Sequence, residues 1–118
     1  MVQQSQIDEI VRILAAECRP EKIILFGSHA SGHANEDSDL DLAIVKQTDL
    51  PRFKRGREIR RALRSGGRRW AFPMDILVFT PDEMADLSGD PYSLVHEILA
   101  TGKILYESEQ PVRLAAQS

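Results

Sequence analysis

The sequence contains one cysteine, Cys18, in 118 residues. A lone thiol excludes an intrachain disulfide and any zinc site built on cysteines. Its small size and its place on a run of apolar residues mark Cys18 as a core residue. The three histidines, His29, His33 and His96, are too scattered to suggest a metal cluster. No apolar run approaches the roughly 20 residues that a membrane span requires. The first residues show no basic head followed by an apolar stretch, so no secretory leader is expected and a reducing cytoplasm is the expected location. Repeats and low-complexity segments are absent from the sequence.

What is present is ordinary for a globular domain, with 42% hydrophobic and 28% charged residues. The length predicts one domain, over residues 1–107, with 108–118 as a frayed tail. That is enough chain for a core without disulfides, and too little for a nucleotide domain beside a separate substrate domain.

Ile7, Ile10, Val11 and Leu14 follow helical spacing, with Ser5 as the expected cap, Asp8 near the box position and Pro20 as the stop. Lys22 to Phe26 reads as a buried strand. Residues 29–38 form a small, polar loop with room for one helical turn. Leu40 to Val45 reads as a second strand. Residues 50 to about 65 predict a helix, broken by Gly66-Gly67. Met74 to Phe79 is a third strand. Thr80-Pro81-Asp82-Glu83 has the form of a capping box with proline at the first helical position. Asp90-Pro91 predicts a further helix to about Thr101, ended by Gly102. Ile104 to Tyr106 is a last strand. The order predicts an α/β (α+β) fold, a small sheet covered by helices. Residues 27–39 leave little room for a crossover, so the sheet should be mixed.

Asp39 and Asp41 carry the functional signal. Alternate residues of a strand face the same way, so the two carboxylates stand side by side at the entrance of the second strand. Such a pair repels, and one pKa should rise. A divalent cation such as magnesium removes the conflict. Asp75 interrupts an otherwise apolar strand, where it either faces solvent or is a buried charge that is costly unless paired or bound to metal. If the second and third strands are neighbours, Asp75 completes a three-carboxylate cluster. Three such acids could hold two cations for in-line phosphoryl transfer. Gly27-Ser28 supplies the other half. A glycine at a strand end permits close approach of backbone, and amides opening a helical turn attract anions.

Phe26-Gly27-Ser28, ten intervening residues and Asp39-Leu40-Asp41 form a G-S-x10-D-x-D pattern that resembles the minimal nucleotidyltransferases of the DNA polymerase beta superfamily. Ser38-Asp39-Leu40-Asp41-Leu42, Met74-Asp75-Ile76-Leu77-Val78 and the closing Gly102 to Glu107 are similar to further segments of that family. The resemblance implies the nucleotidyltransferase fold. It also implies magnesium-dependent transfer of a nucleoside monophosphate, AMP from ATP in the first instance, to a hydroxyl. Asp39, Asp41 and Asp75 would be catalytic and would hold two Mg2+ ions, or Mn2+. Gly27, Ser28 and Ser38 would meet the nucleotide or its phosphates. His29 is a further phosphate-contact candidate, with an exposed loop histidine as the alternative. Relatives often carry arginines after Gly-Ser, where this chain has His29 and Ser31, so either nucleotide binding is weaker or cations come from elsewhere.

The net charge of −3 conceals a strong asymmetry. Nine arginines and lysines fall between Arg52 and Arg69, with Glu58 the one acid among them, so this block is about +8 beside a remainder of about −11. It could be a solvated helix face, an RNA surface or the seat of an acidic protein. Phe53 and Trp70 are the aromatics at hand for base stacking.

The first functional expectation is therefore a nucleotidyltransferase that modifies a partner. Minimal relatives are often paired with small helical HEPN-type toxins, and the small size points the same way, because an acceptor-binding domain does not fit. The second is an antitoxin that neutralises its partner by complex formation with little or no catalysis. The third is extension of RNA 3′ ends through residues 52–69. A homo-oligomer is compatible with all three.

Overall fold

The structure, a computed structural model, describes residues 2–108. The expected tail lies outside the described residues apart from Ser108.

Helix α1 spans Gln4–Glu17 and buries Ile7, Ile10, Ile13 and Leu14. It starts one residue before the expected Ser5 cap. Gln3 takes the capping position, and its amide donates to the Gln6 side chain at 2.8 Å. The helix ends at Cys18, before Pro20, with Arg19 in the left-handed region at φ 48°. Cys18 is buried, as its apolar surroundings suggest.

Strand β1, Lys22–Phe26, leads into a single helical turn, α2, over Ser28–Ser31. Strand β2 covers Leu40–Val45, helix α3 Arg52–Arg64 and strand β3 Met74–Phe79. Gly66 and Gly67, both at positive φ, carry the chain out of α3 through one 3-10 turn. Helix α4, Pro81–Ser88, has the expected Thr80–Glu83 capping box. Helix α5, Leu94–Thr101, starts later than Asp90-Pro91 predicts. The Asp90 carboxylate instead accepts from the Tyr92 amide at 3.0 Å, closing a local turn, and Ser93 becomes the cap. Gly102 ends α5 in an extended conformation, not a left-handed one. A side chain there would run into the Ile98 carbonyl and Ile24. Strand β4 is Lys103–Glu107.

The sheet order is β3-β2-β1-β4. The short connection after β1 reverses the chain, so β1 and β2 are antiparallel, with Phe26 opposite Asp41. The longer connection through α3 allows β3 to lie parallel to β2, with Asp41 opposite Asp75. Strand β4 closes the other side of β1 in antiparallel register. The sheet is thus mixed, as expected.

Alternation gives the sheet two apolar faces. Ile23, Leu25, Leu42, Ile44, Ile76 and Val78 pack in one core with residues of α1 and α3. Ile24, Ala43, Val45 and Phe79 pack in a second with Met84, Val95 and Ile98 of α4 and α5.

One charged tie joins the helices across the edge of β3. Arg55 is buried in α3, with its side chain 9% exposed, and donates to Glu83 at 2.6 Å and to the Leu50 and Val78 carbonyls. Glu83 is also the box residue of α4, so one carboxylate caps a helix and neutralises a buried guanidinium. The hydrogen bond from Arg55 holds the Glu83 carboxyl below its usual value near 4.5.

A depressed carboxylate pKa contributes stability that is complete above the unfolded value and is lost as pH falls through the folded one. Replacing Glu83 by Gln should therefore cost about 2 kcal/mol at neutral pH, from the lost charged hydrogen bonds. Denaturant titrations across the acid range should show parent and variant converging below the usual carboxylate pKa.

Candidate active site

The three carboxylates proposed from the sequence share one end of the sheet. Asp41 and Asp75 are register partners on adjacent parallel strands, and paired residues of a ladder face the same side. Asp39 precedes Asp41 by two residues and continues that side. It is the side covered farther along by α4 and α5, and it is left open at this end.

Their environments differ. Asp41 is half-buried, whereas Asp39 and Asp75 are not buried. Of the two readings its apolar strand allows, Asp75 takes the solvent-facing one. It sits exposed at the open start of an edge strand, where water solvates it. What draws attention to it is its register with Asp41.

Burial raises the Asp41 pKa first, and repulsion from Asp75 and then Asp39 raises it further, while His29 opposes the shift. Asp75 and Asp39 therefore both act on Asp41 through space. Like charges at one strand end also resist convergence. Among the described residues no three acidic, histidine or cysteine side chains stand close enough to form a ready-made ligand set. The donor chemistry nonetheless suits a hard divalent cation, which would offset the repulsion felt by Asp41.

Gly27 is fitted to this carboxylate. Its φ of 73° and ψ of −154° lie in a region that is essentially reserved for glycine. A side chain there would collide with the Asp41 carboxylate, so the missing Cβ is the space that the carboxylate fills. Gly27 thus connects the turn after β1 directly to the acids on β2.

The other proposed nucleotide residues surround this contact. Ser28 opens α2. His29 lies 3.4 Å through Nε2 from the Ser38 carbonyl oxygen, which ties the glycine turn to the approach of β2. The Ser38 hydroxyl is engaged locally. It accepts from the Asn35 amide at 3.0 Å and closes the 35–38 turn. Ser31, where relatives often carry a cation, turns back to donate to the Ser28 carbonyl. His33 and Ser31 are 3.1 Å apart, and His96 lies beside the Ser88 carbonyl, away from the acids.

The basic block is not uniform. Arg52 and Arg55 face Glu83, and Glu58 is taken by Lys46 at 2.6 Å. Phe53 is exposed, and Trp70 packs partly against the core. Among the described residues, no helix is long and apolar enough to cross a membrane.

Residues 8–111 match the sequence profile of the family described as Polymerase beta, Nucleotidyltransferase. A Methanocaldococcus jannaschii protein named as a candidate protein adenylyltransferase is 42% identical over 52 residues, covering 42% of this chain and 52% of that protein. The chain thus spans about half the length of this curated relative. Among solved structures, a toxin-antitoxin complex with AMP-PNP is similar at a TM-score of 0.58 and 23% identity, over 87% of this chain and 74% of that one. A candidate nucleotidyltransferase from Sulfolobus solfataricus is similar at 0.58 and 20% identity, over 88% of this chain and 79% of that one. At these identities, both structures establish the likeness of fold.

Two substitutions probe the geometry. Gly27→Ala should cost about 1–3 kcal/mol in backbone strain, measured by denaturant unfolding, and should displace the Asp41 carboxylate. Asp41→Asn should raise Tm at neutral pH, because a raised carboxylate pKa means that the folded state disfavours the ionised form. That gain should shrink as pH falls and the parent's Asp41 takes up its proton.

Proposed function

Because this chain belongs to the polymerase beta nucleotidyltransferase family, we propose that it transfers a nucleoside monophosphate, AMP from ATP, to a hydroxyl on a partner protein. The observation that carries the reading is the register of Asp41 with Asp75, beside Asp39 and the Gly27 turn. The name of the Methanocaldococcus jannaschii relative supports a protein as acceptor, and the toxin-antitoxin neighbour supports a partner of that kind. A small helical HEPN-type toxin is the partner proposed, by resemblance to paired minimal relatives.

In this reading Asp39, Asp41 and Asp75 would hold Mg2+ or Mn2+, two ions in the full arrangement. Bound there, the ions would neutralise the triphosphate and polarise its α-phosphate. Gly27 lets the turn pack against the Asp41 carboxylate, and phosphate would meet the amides of Ser28 and His29 beside it. Asp75, exposed at the edge of the sheet, would accept the proton of the attacking hydroxyl. The acceptor oxygen forms a bond to the α-phosphorus as the bond to the departing pyrophosphate breaks, so charge and atoms balance.

A second reading keeps the partner and drops the chemistry. His29 and Ser31 are both engaged with nearby backbone carbonyls, so the turn after Gly27 presents no fixed cation to a triphosphate. The chain would then neutralise its partner by binding alone.

Incubation with labelled ATP, Mg2+ and the co-expressed neighbouring gene product separates the two. Transfer of label to the partner, reduced about 100-fold or more by Asp75→Asn, is expected of the enzyme. No transfer, with neutralisation of the partner surviving Asp39→Ala, would establish the binding reading. In a melting assay, Mg2+ should raise the Tm of the parent but not that of Asp41→Asn.

A further inference from the structure

A concave surface lies outside the carboxylate rim, between the C-terminal half of α3, the 3-10 turn and the segment entering β3. It is a cleft of about 510 Å3. Arg60, Arg64, Arg68 and Arg69 line it, together with Trp70 and Phe72, and no acidic residue among those described does. Glu17 reaches the nearby Ser65 hydroxyl at 3.2 Å from outside that lining.

None of the four arginines is in an ion pair among the described residues. Of the carboxylates near α3, Glu83 pairs with Arg52 and Arg55, Glu58 pairs with Lys46, and Glu17 accepts from the Ser65 hydroxyl. Two of the four are held in place without being neutralised. Arg60 donates to the Met74 carbonyl at 3.3 Å, and Arg68 donates to the Ser65 carbonyl and hydroxyl at 2.9 Å. Arg64 and Arg69 are exposed. Four like charges converging on one concavity repel one another and create a field that a polyanion relieves.

The cleft has an aromatic wall as well. Trp70 and Phe72 stand 6.1 Å apart at a 57° tilt, both half-buried. The Trp70 indole donates to the Leu63 carbonyl at 3.0 Å, which fixes the ring. Unpaired guanidiniums beside a fixed aromatic wall are the two components of a surface that tracks a phosphate backbone and stacks bases. An acidic peptide would use the first component and leave the second idle. A duplex keeps its bases stacked internally and offers none to the wall.

We infer that this cleft binds single-stranded nucleic acid, with phosphates on the arginines and a base against Trp70 and Phe72. The site is distinct from the carboxylates. It ends at Met74, whose side chain packs toward the α1 and α3 core, whereas Asp75 is on the opposite face of the strand.

Trp70 is the only tryptophan in the chain, so its emission reports on the cleft directly. The full chain is titrated with a short oligoadenylate RNA in the absence of divalent cations. Tryptophan quenching is expected, with affinity falling about 20- to 50-fold between about 50 mM and about 200 mM salt for three or four phosphate contacts. Arg64→Ala and Arg69→Ala should each weaken binding and lower the salt slope by about 0.7. Arg57→Ala, on the same helix but outside the cleft, should leave binding unchanged. Asp41→Asn should bind as the parent does, so this result stands or falls independently of nucleotidyl transfer. Absence of quenching at low salt, or indifference to both cleft substitutions, would overturn the inference. So would equal binding and quenching by polyglutamate or by a duplex of the same length.

Discussion

The parallel ladder between β2 and β3 brings Asp41 level with Asp75, and the candidate site depends on that pairing. Two carboxylates held opposite one another repel, yet the backbone ladder cannot separate them without disturbing the strands. Apolar pairs on the other face hold the register. Leu42 with Ile76, and Ile44 with Val78, are level with each other and pack in the α1 and α3 core. A slip of one residue would exchange the faces, placing acids in that core and leucine and isoleucine at the open rim. Apolar burial along the strands therefore enforces charge crowding at their ends. Asp41, the acid held between the other two, bears the electrostatic consequence.

Gly27 extends the same constraint into the neighbouring strand. Antiparallel pairing sets Phe26 opposite Asp41, so the next residue of the turn lies against the Asp41 carboxylate. Only a residue without a Cβ fits, and it does so at a φ that side chains rarely adopt. The G-S pattern and the D-x-D pattern, twelve residues apart from Gly27 to Asp39, are thus one structural unit. The carboxylate of one occupies space that the other leaves open.

Helix α3 divides its charge between two tasks. Its first half sends Arg55 inward to Glu83, a buried tie that also supports the cap of α4. Its second half, with the turn after it, leaves arginines without an ion pair among the described residues, around an aromatic-walled cleft. A block of positive charge that is uniform in one dimension is therefore structural at one end and open to ligand at the other. The difference lies in whether a carboxylate on another element can reach it.

Much of this was legible in the residues themselves. The bounds of β1, β2 and β3, the Thr80–Glu83 cap and the glycine break after α3 arise from apolar runs and local hydrogen-bonding chemistry. These interactions span only a few residues, so adjacent side chains are sufficient to dictate them. Local competition explains the displaced start of α5, where the Asp90 side chain closes its own turn and passes the cap to Ser93. Tertiary structure decided which strand lies beside β2 and that Asp75 is exposed at an edge. It also decided which arginines find an acid. Each of these depends on groups distant in sequence meeting through the packing of two apolar faces, and residue types alone do not specify their neighbours.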